Sequence, residues 1–284
     1  VGVILVNPGS GPSATGADEL RRLFPGADVQ ECSPDQLAKR AADAVAAGAA
    51  YVGVAGGDGT IRTVAEQLVG TDTPLLPIPA GTRNHFARDV GVDTLERAAE
   101  AAAGGRVIEV DAGQVNGRSF VNNSSIGLYP KIVVRREHRE RRLPKGVANV
   151  VAVWEQLRHG RRLAVDLDGT THNAWLVFVG NGAYGEGLID LADRESLNEH
   201  ILDLRVVRAD RPLARLRVLG ALLLGRLARS PLIVTRRCAA ATINLSRAQV
   251  EVALDGEVEK LDTPLRYQSA ACALRVLVPP STSA

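Results

Sequence analysis

Residues 50–68, AYVGVAGGDGTIRTVAEQL, change grammar across a run of three glycines around one aspartate. Upstream is a β-branched-rich apolar run. Downstream, Ile61, Val64, Ala65 and Leu68 recur at the i, i+3, i+4, i+7 spacing of one helical face. The pattern predicts a strand, a tight turn at GGDGT and a helix. Glycines in such a turn let backbone approach a ligand closely, and the free N–H groups opening the helix attract anions, so phosphate is the ligand to expect. Two common phosphate motifs are excluded. The dinucleotide fingerprint needs glycines at first, third and sixth places, yet the sixth place after Gly57 and Gly59 is Arg62, and the Gly-Lys-Ser/Thr ending of a P-loop is missing.

The same alternation fills the first third of the chain. VGVILVN is a continuous apolar run suited to a strand buried on both faces, and it ends in NPGSG. A helix is expected to open at Ser33, with Pro34 at its first position and Gln36 three residues after the cap, and to stop near Gly48. After AYVGV and the glycine turn, PLLPIPAGT reads as a short strand emptying into AGTRNHFARDVGV. This is a βαβαβ pattern and implies a parallel sheet with helices on its faces. Ligands of such sheets bind outside the carboxyl ends of the strands, which NPGSG, GGDGT and AGTRN all follow, so the three loops are expected to converge.

From about residue 106 the signals become those of hairpins. Asn116-Gly117, Asp168-Gly169 and Asp255-Gly256 each lie between strand-like runs, which implies an antiparallel β domain. Two helices are expected to interrupt it, around 145–158 and 212–229. The expected division is an α/β domain over 1–108 and a β-sandwich domain over 109–271, with a last strand at about 272–279 able to return to the first.

Length supports that division, because 284 residues exceed what one core usually organises. A net charge of +2 and 4% aromatic residues argue against nucleic acid as a partner. Cys32, Cys238 and Cys272 are far apart and form no Cys-x-x-Cys pair, so neither a disulfide framework nor a zinc site is expected. The apolar run Val218–Leu224 is far shorter than the roughly 20 residues needed to span a bilayer. No export signal precedes the first strand, and the expectation is a cytoplasmic protein that meets membranes peripherally. The chain has no methionine, even at position 1, which leaves room for a longer parent polypeptide. Oligomeric state, a homodimer included, is left open.

Five pieces of this sequence, in order, resemble the lipid kinases that share the diacylglycerol kinase catalytic domain, a family related to the sphingosine kinases. They are Asn7-Pro8-Gly9-Ser10-Gly11, Gly56-Gly57-Asp58-Gly59-Thr60, Pro79-Ala80-Gly81-Thr82-Arg83-Asn84-His85-Phe86-Ala87-Arg88, Asn123-Ser124-Ser125-Ile126-Gly127 and Asp255-Gly256-Glu257. The resemblance implies a nucleotide-binding α/β domain, a β-sandwich domain for the lipid substrate and an active site in the cleft between them. It also implies transfer of the γ-phosphoryl group of ATP, with Mg²⁺, to the hydroxyl of diacylglycerol or a related lipid alcohol. Carried over by position, Asn7 to Gly11, Ser33, Gly56 to Thr60, Gly81, Thr82 and Asn84 hold the nucleotide. Glu257 takes the proton, and Asp58 sits at the reacting phosphate. These roles suit phosphoryl transfer, which needs alignment and charge neutralisation more than covalent help.

The sequence departs from the family in two places. The glycine turn is usually followed by Asn-Glu, where this chain has Arg62-Thr63, and the third motif usually reads Asn-Asp-Phe, where it has Asn84-His85-Phe86. Arg62 is electrostatically suited to a place beside phosphate. His85 reads equally as an exposed surface substitution. A structural magnesium site of some bacterial members falls on Ser196 to Asp203, where Ser196, Glu199 and Ile201 are the corresponding ligands, and His200 replaces a glycine.

Basic residues from Arg135 to Lys145, and the leucines and arginines of 211–229, suit a lipid headgroup surface, although charged loops and leucine-rich helical faces are more commonly just solvated and packed. Two other functions compete. NAD kinases share GGDGT, but AGTRNHFAR and the terminal DGE fit the lipid-kinase pattern. The altered residues Arg62, Thr63 and His85 also fit a non-catalytic nucleotide or lipid sensor on the same fold.

Overall fold

The computed structural model describes residues 1–7, 16–127, 162–167, 169–185, 194, 196–210, 217, 220 and 230–280. The chain divides into two compact units. One comprises Val1–Ala112, Ser119–Asn122 and Ala270–Ala284, and the other Gly113–Arg118 and Asn123–Ser269. The expected helices around 145–158 and 212–229, the basic stretch 135–145 and Asp168 lie outside the described residues, apart from Arg217 and Gly220.

The first unit is an α/β layer. Strands β1 (Gly2–Val6), β2 (Ala27–Glu31), β3 (Val52–Gly56) and β4 (Leu75–Pro79) lie parallel in the order β2-β1-β3-β4. In register, Val6 faces both Glu31 and Ala55, and Gly56 faces Pro79. The chain's last strand, β15 (Leu265–Val278), pairs Val276 with Leu75 of β4, also in parallel. Ile4, Leu5, Val52, Val54, Leu75, Leu76 and Ile78 are fully buried, as strands covered on both faces require. Helices α1 (Ala17–Leu23), α2 (Leu37–Ala46), α3 (Asp58–Leu68), α4 (His85–Asp89) and α5 (Leu95–Gly104) complete the unit. The apolar stripe of α3, Ile61, Val64, Ala65 and Leu68, is buried as its spacing predicts. Thr94 caps α5, its Oγ1 accepting from the Arg97 N–H at 3.2 Å.

The βαβαβ reading misses α1 and β2. β2 reads ADVQE and buries only Val29, because it is the edge strand and lacks the apolar run of its neighbours. The second correction is the start of α2. Residues 34–36 form a turn and the helix begins at Leu37, although the capping contact exists, with the Ser33 N–H donating to Gln36 Oε1 at 3.4 Å.

The second unit is antiparallel. Strand β9 (Thr170–Asn181) pairs with β7 (Asn123–Gly127), β8 (Leu163–Leu167) and β10 (Leu202–Arg208), and β10 pairs with β11 (Ile233–Cys238). β12 (Ala240–Leu245) lies between β8 and β15, while β13 (Gln249–Leu254) lies between β7 and β14 (Glu257–Asp262). The Asn-Gly and Asp-Gly hairpins form as their chemistry demands. Asn116 and Gly117, between β5 (Arg106–Val115) and β6 (Arg118–Phe120), have φ of 47° and 82°, and Asp255 and Gly256 have φ of 49° and 95°. Trp175, Phe178, Val206, Ile243 and Tyr267 are buried in this unit, where the Tyr267 hydroxyl meets Ser124 Oγ at 2.9 Å. Burial pushes the Tyr267 phenol well above its ordinary range.

Candidate active site

In the first unit the order β2-β1-β3-β4 places four loops beyond the carboxyl ends of adjacent parallel strands. Asn7 follows β1, Ser33 lies just beyond β2, Gly57 follows β3 and Gly81 lies just beyond β4. The chain leaves β1 for one side of the sheet and reaches β3 on the other, so the ends of β1 and β3 flank the topological switch point where open α/β sheets take ligands. Asn7 is half-buried there, while Ser33 is exposed, as is Thr82. Pro8, Gly9, Ser10 and Gly11 lie outside the described residues.

The GGDGT and AGTRN turns meet backbone to backbone. A Cβ on Gly81 would fall 2.4 Å from Gly57 Cα, a separation that admits no side chain. Gly57 caps α3 in an extended conformation, and the N–H groups opening the helix beyond it have no intrahelical acceptor. Gly59 and Thr60 lie in that first turn, and Gly56 ends β3. Asn84 fixes the second turn by a reciprocal pair of bonds. Its Oδ1 accepts from the Gly81 N–H and its Nδ2–H donates to the Gly81 carbonyl, both at 2.9 Å, with Asn84 itself in the left-handed region at φ 51°.

Asp58 is the first residue of α3, where its negative charge complements the helix dipole. Its Oδ1 accepts the Phe86 N–H at 3.1 Å and the Asn122 Nδ2–H at 3.3 Å. It therefore ties the glycine turn to α4 and to the segment Ser119–Asn122, rather than closing a local Asx turn. Both bonds fall on Oδ1.

Two expectations are corrected here. Arg62 is not a surface cation beside phosphate. It is 2% exposed, its Nε–H donates to the Ser119 carbonyl at 2.9 Å, and its guanidinium lies 3.9 Å from the Glu66 carboxylate. His85 is not an exposed substitution either. It is half-buried at the start of α4, with Nδ1 3.4 Å from Arg88 NH2. Burial holds its imidazole below the ordinary value; Asp58 and Asp89 pull it upward, and Arg88 and Arg83 lower it further.

In the second unit, Glu257 is exposed at the head of β14, directly after the Asp255-Gly256 turn. Asp255 anchors that turn. Its carboxylate accepts the Asn123 N–H at 2.8 Å, and its own N–H donates to the Asn123 carbonyl at 2.8 Å. Ser196, Glu199 and Ile201 lie in the loop before β10. The Ser196 hydroxyl bonds Asn198 Oδ1 at 2.9 Å, the Ile201 carbonyl accepts from the Gly182 N–H at 2.9 Å, and Glu199 is exposed. Asp203, beyond them, is fully buried and paired with Arg205 at 2.6 Å. Sequence reasoning missed Asn122, which sits one residue ahead of the Asn123–Gly127 motif and is 4% exposed. The run Asn122-Asn123-Ser124-Ser125, four small polar residues between Val121 and Ile126, carries no periodic signal that singles out one of them.

Residues 2–115 match the Diacylglycerol kinase catalytic domain, and residues 132–278 match the YegS C-terminal NAD kinase beta sandwich-like domain. A Pseudomonas fluorescens protein named "Probable lipid kinase YegS-like" is 30% identical over 243 residues, covering 84% of this chain and 80% of that protein. The chain belongs to this family. "Probable lipid kinase YegS" of Escherichia coli O1:K1 / APEC is 30% identical over 173 residues, which span 57% of this chain and 58% of the relative. The fold recurs in two crystal structures from Bacillus anthracis str. Sterne. One is 22% identical with TM-score 0.72, covering 99% of this chain and 98% of the other. The second, of a diacylglycerol kinase, is 20% identical with TM-score 0.67, covering 98% and 96%. Within the family frame, the glycine turns and Asp58 fall in the region matched by the catalytic domain, and Glu257 in the region matched by the C-terminal domain.

Proposed function

We propose that the protein is an ATP-dependent lipid kinase that transfers the γ-phosphoryl group to the hydroxyl of diacylglycerol or a related lipid alcohol. The observation that carries this reading is the Gly57–Gly81 contact beside Asp58, at the carboxyl ends of β3 and β4. Side-chain-free backbone and unpaired helix-opening N–H groups fit phosphate oxygens, and a carboxylate beside them fits the region where charge must be neutralised. Asn7 to Gly11, Ser33, Gly56 to Thr60, Gly81, Thr82 and Asn84 hold the nucleotide.

Mg²⁺ takes carboxylate and phosphate oxygens, and Asp58 Oδ2 offers one. When bound, the ion neutralises charge on the transferring phosphoryl group. In the transfer, Glu257 accepts the proton of the lipid hydroxyl, a new bond forms between that oxygen and the γ-phosphorus, and the bond to the ADP oxygen breaks. A separate structural Mg²⁺ is assigned to Ser196, Glu199 and the Ile201 carbonyl, whose oxygen keeps a second lone pair beside its bond from Gly182.

The acceptor brings the protein to a bilayer surface as a peripheral cytoplasmic enzyme. No helix among the described residues is long and apolar enough to cross a membrane. The test is transfer from γ-labelled ATP with Mg²⁺ to diacylglycerol, monoacylglycerol, ceramide and sphingoid base in mixed micelles, with NAD as a separate acceptor. The expected result is a labelled lipid that disappears in Glu257→Gln. Label on NAD alone, or tight ATP binding with no product, overturns the reading in favour of an NAD kinase or a sensor respectively.

A further inference from the structure

Asp58, Arg62 and Glu66 are spaced i, i+4, i+8 and so share one face of α3. All three meet the short segment Ser119–Asn122, which belongs to the same unit. The Asn122 Nδ2–H donates to Asp58 Oδ1 at 3.3 Å, the Arg62 Nε–H donates to the Ser119 carbonyl at 2.9 Å, and the Ser119 N–H donates to Glu66 Oε1 at 3.2 Å. Asn122 and Ser119 are each 4% exposed, and Arg62 is 2% exposed. A guanidinium that deeply buried is costly unless its charge is offset, and here the Glu66 carboxylate lies 3.9 Å from it while the Ser119 carbonyl accepts its Nε–H.

We propose that this row is a clamp that orients Asp58, with Asn122 as the positioning residue that touches it and with Arg62 and Glu66 holding Asn122 in place through Ser119. The inference rests on the lipid-kinase reading for its link to turnover. Asn122 and the Phe86 N–H both saturate Oδ1, so the plane of the carboxylate is fixed and Oδ2 becomes the oxygen presented to phosphate or metal. The clamp also explains why an arginine follows the glycine turn. Its role is to secure the segment carrying Asn122.

The experiment compares wild type, Asn122→Ala, Arg62→Met, Asp58→Asn and the Asp58→Asn/Asn122→Ala double variant, measuring lipid phosphorylation, ATP binding by calorimetry and Tm. The clamp predicts that Asn122→Ala lowers kcat by about 10-fold or more while ATP affinity stays within about twofold. It further predicts that the double variant turns over no more slowly than Asp58→Asn alone, because the two side chains act as one unit. Unchanged kcat in Asn122→Ala, or losses that multiply in the double variant, overturns it. An Arg62→Met protein that loses ATP affinity at constant kcat makes Arg62 a nucleotide ligand and also overturns it. If wild type phosphorylates no lipid, the kinase reading fails separately; the clamp is then upheld by non-additive Tm shifts of Asn122→Ala and Asp58→Asn, and overturned by additive ones. If Arg62→Met does not fold, the Asn122 and Asp58 arms decide alone.

Discussion

Asp58 and Glu257 are the two carboxylates proposed for the reaction, and the protein holds them by opposite means. Asp58 is half-buried at a helix N-terminus and is gripped at the carboxylate itself, by a backbone N–H and an asparagine side chain. Glu257 stands exposed at the head of a strand, and its place is set one turn earlier, where Asp255 exchanges two bonds with Asn123. One group is oriented through its side chain and the other through the backbone that carries it. Chemistry and stability are therefore coupled at Asp58 and separable at Glu257.

The sharpest test of that contrast is Glu257→Gln. Loss of a general base costs roughly 10²–10⁴-fold in kcat. Tm should stay within about 1 °C, because a nearly isosteric substitution of an exposed side chain changes stability little. Asp58→Asn should lower both kcat and Tm. Equal Tm losses in the two variants would erase the distinction. Next in size is Gly81→Ala, whose Cβ meets Gly57 Cα at 2.4 Å. Backbone cannot swing aside as a side chain can, so destabilisation of about 1–3 kcal/mol is expected in urea melts, together with weakened ATP binding. Gly26→Ala is the control, since its Cβ would meet nothing within 4 Å.

A smaller effect is expected at Asp255. Asp255→Ala removes the carboxylate that accepts the Asn123 N–H and forces a non-glycine, non-asparagine residue to φ 49°, for a loss of about 1–2 kcal/mol. Asp255→Asn keeps an acceptor oxygen and a residue tolerant of that conformation, so it should recover most of the stability. Turnover should recover with it, if Asp255 acts only by placing Glu257. Recovery of stability without turnover would assign Asp255 a direct part in the chemistry.

The two units were also unequally legible. In the α/β unit, β1, β3 and β4 stand out because strands buried on both faces are written as unbroken apolar runs, whereas β2 hides in ADVQE because an edge strand needs only Val29 inside. In the β unit, Asn116-Gly117 and Asp255-Gly256 announce their hairpins because few other pairs tolerate two successive positive φ values. Glycines and carboxylates of the candidate site were visible by type. Their supports were not, since the bonds from Asp58 to Phe86 and Asn122 span 28 and 64 residues of sequence and follow no periodicity. Arg62 shows the same limit: its residue type suggests phosphate, while its burial against Ser119 and Glu66 makes it part of the frame.

The smallest expected effect concerns His85, which the protein holds near Asp58 in a form that resists protonation. Burial lowers its pKa in the folded state, with Arg88 and Arg83 adding to the shift and Asp58 and Asp89 opposing it. The unfolded chain then binds a proton more readily than the folded one between the ordinary histidine value, about 6.5, and the lower folded value. Stability from this group is present above that ordinary value and is lost as pH falls through the window beneath it. Wild type should therefore lose more Tm than His85→Asn between pH 7.5 and pH 5.5, with the two converging at neutral pH apart from any constant offset. A Tm difference that stays constant across that range would mean that the imidazole titrates alike in both states, and the half-buried contact beside Asp58 would then have no electrostatic consequence.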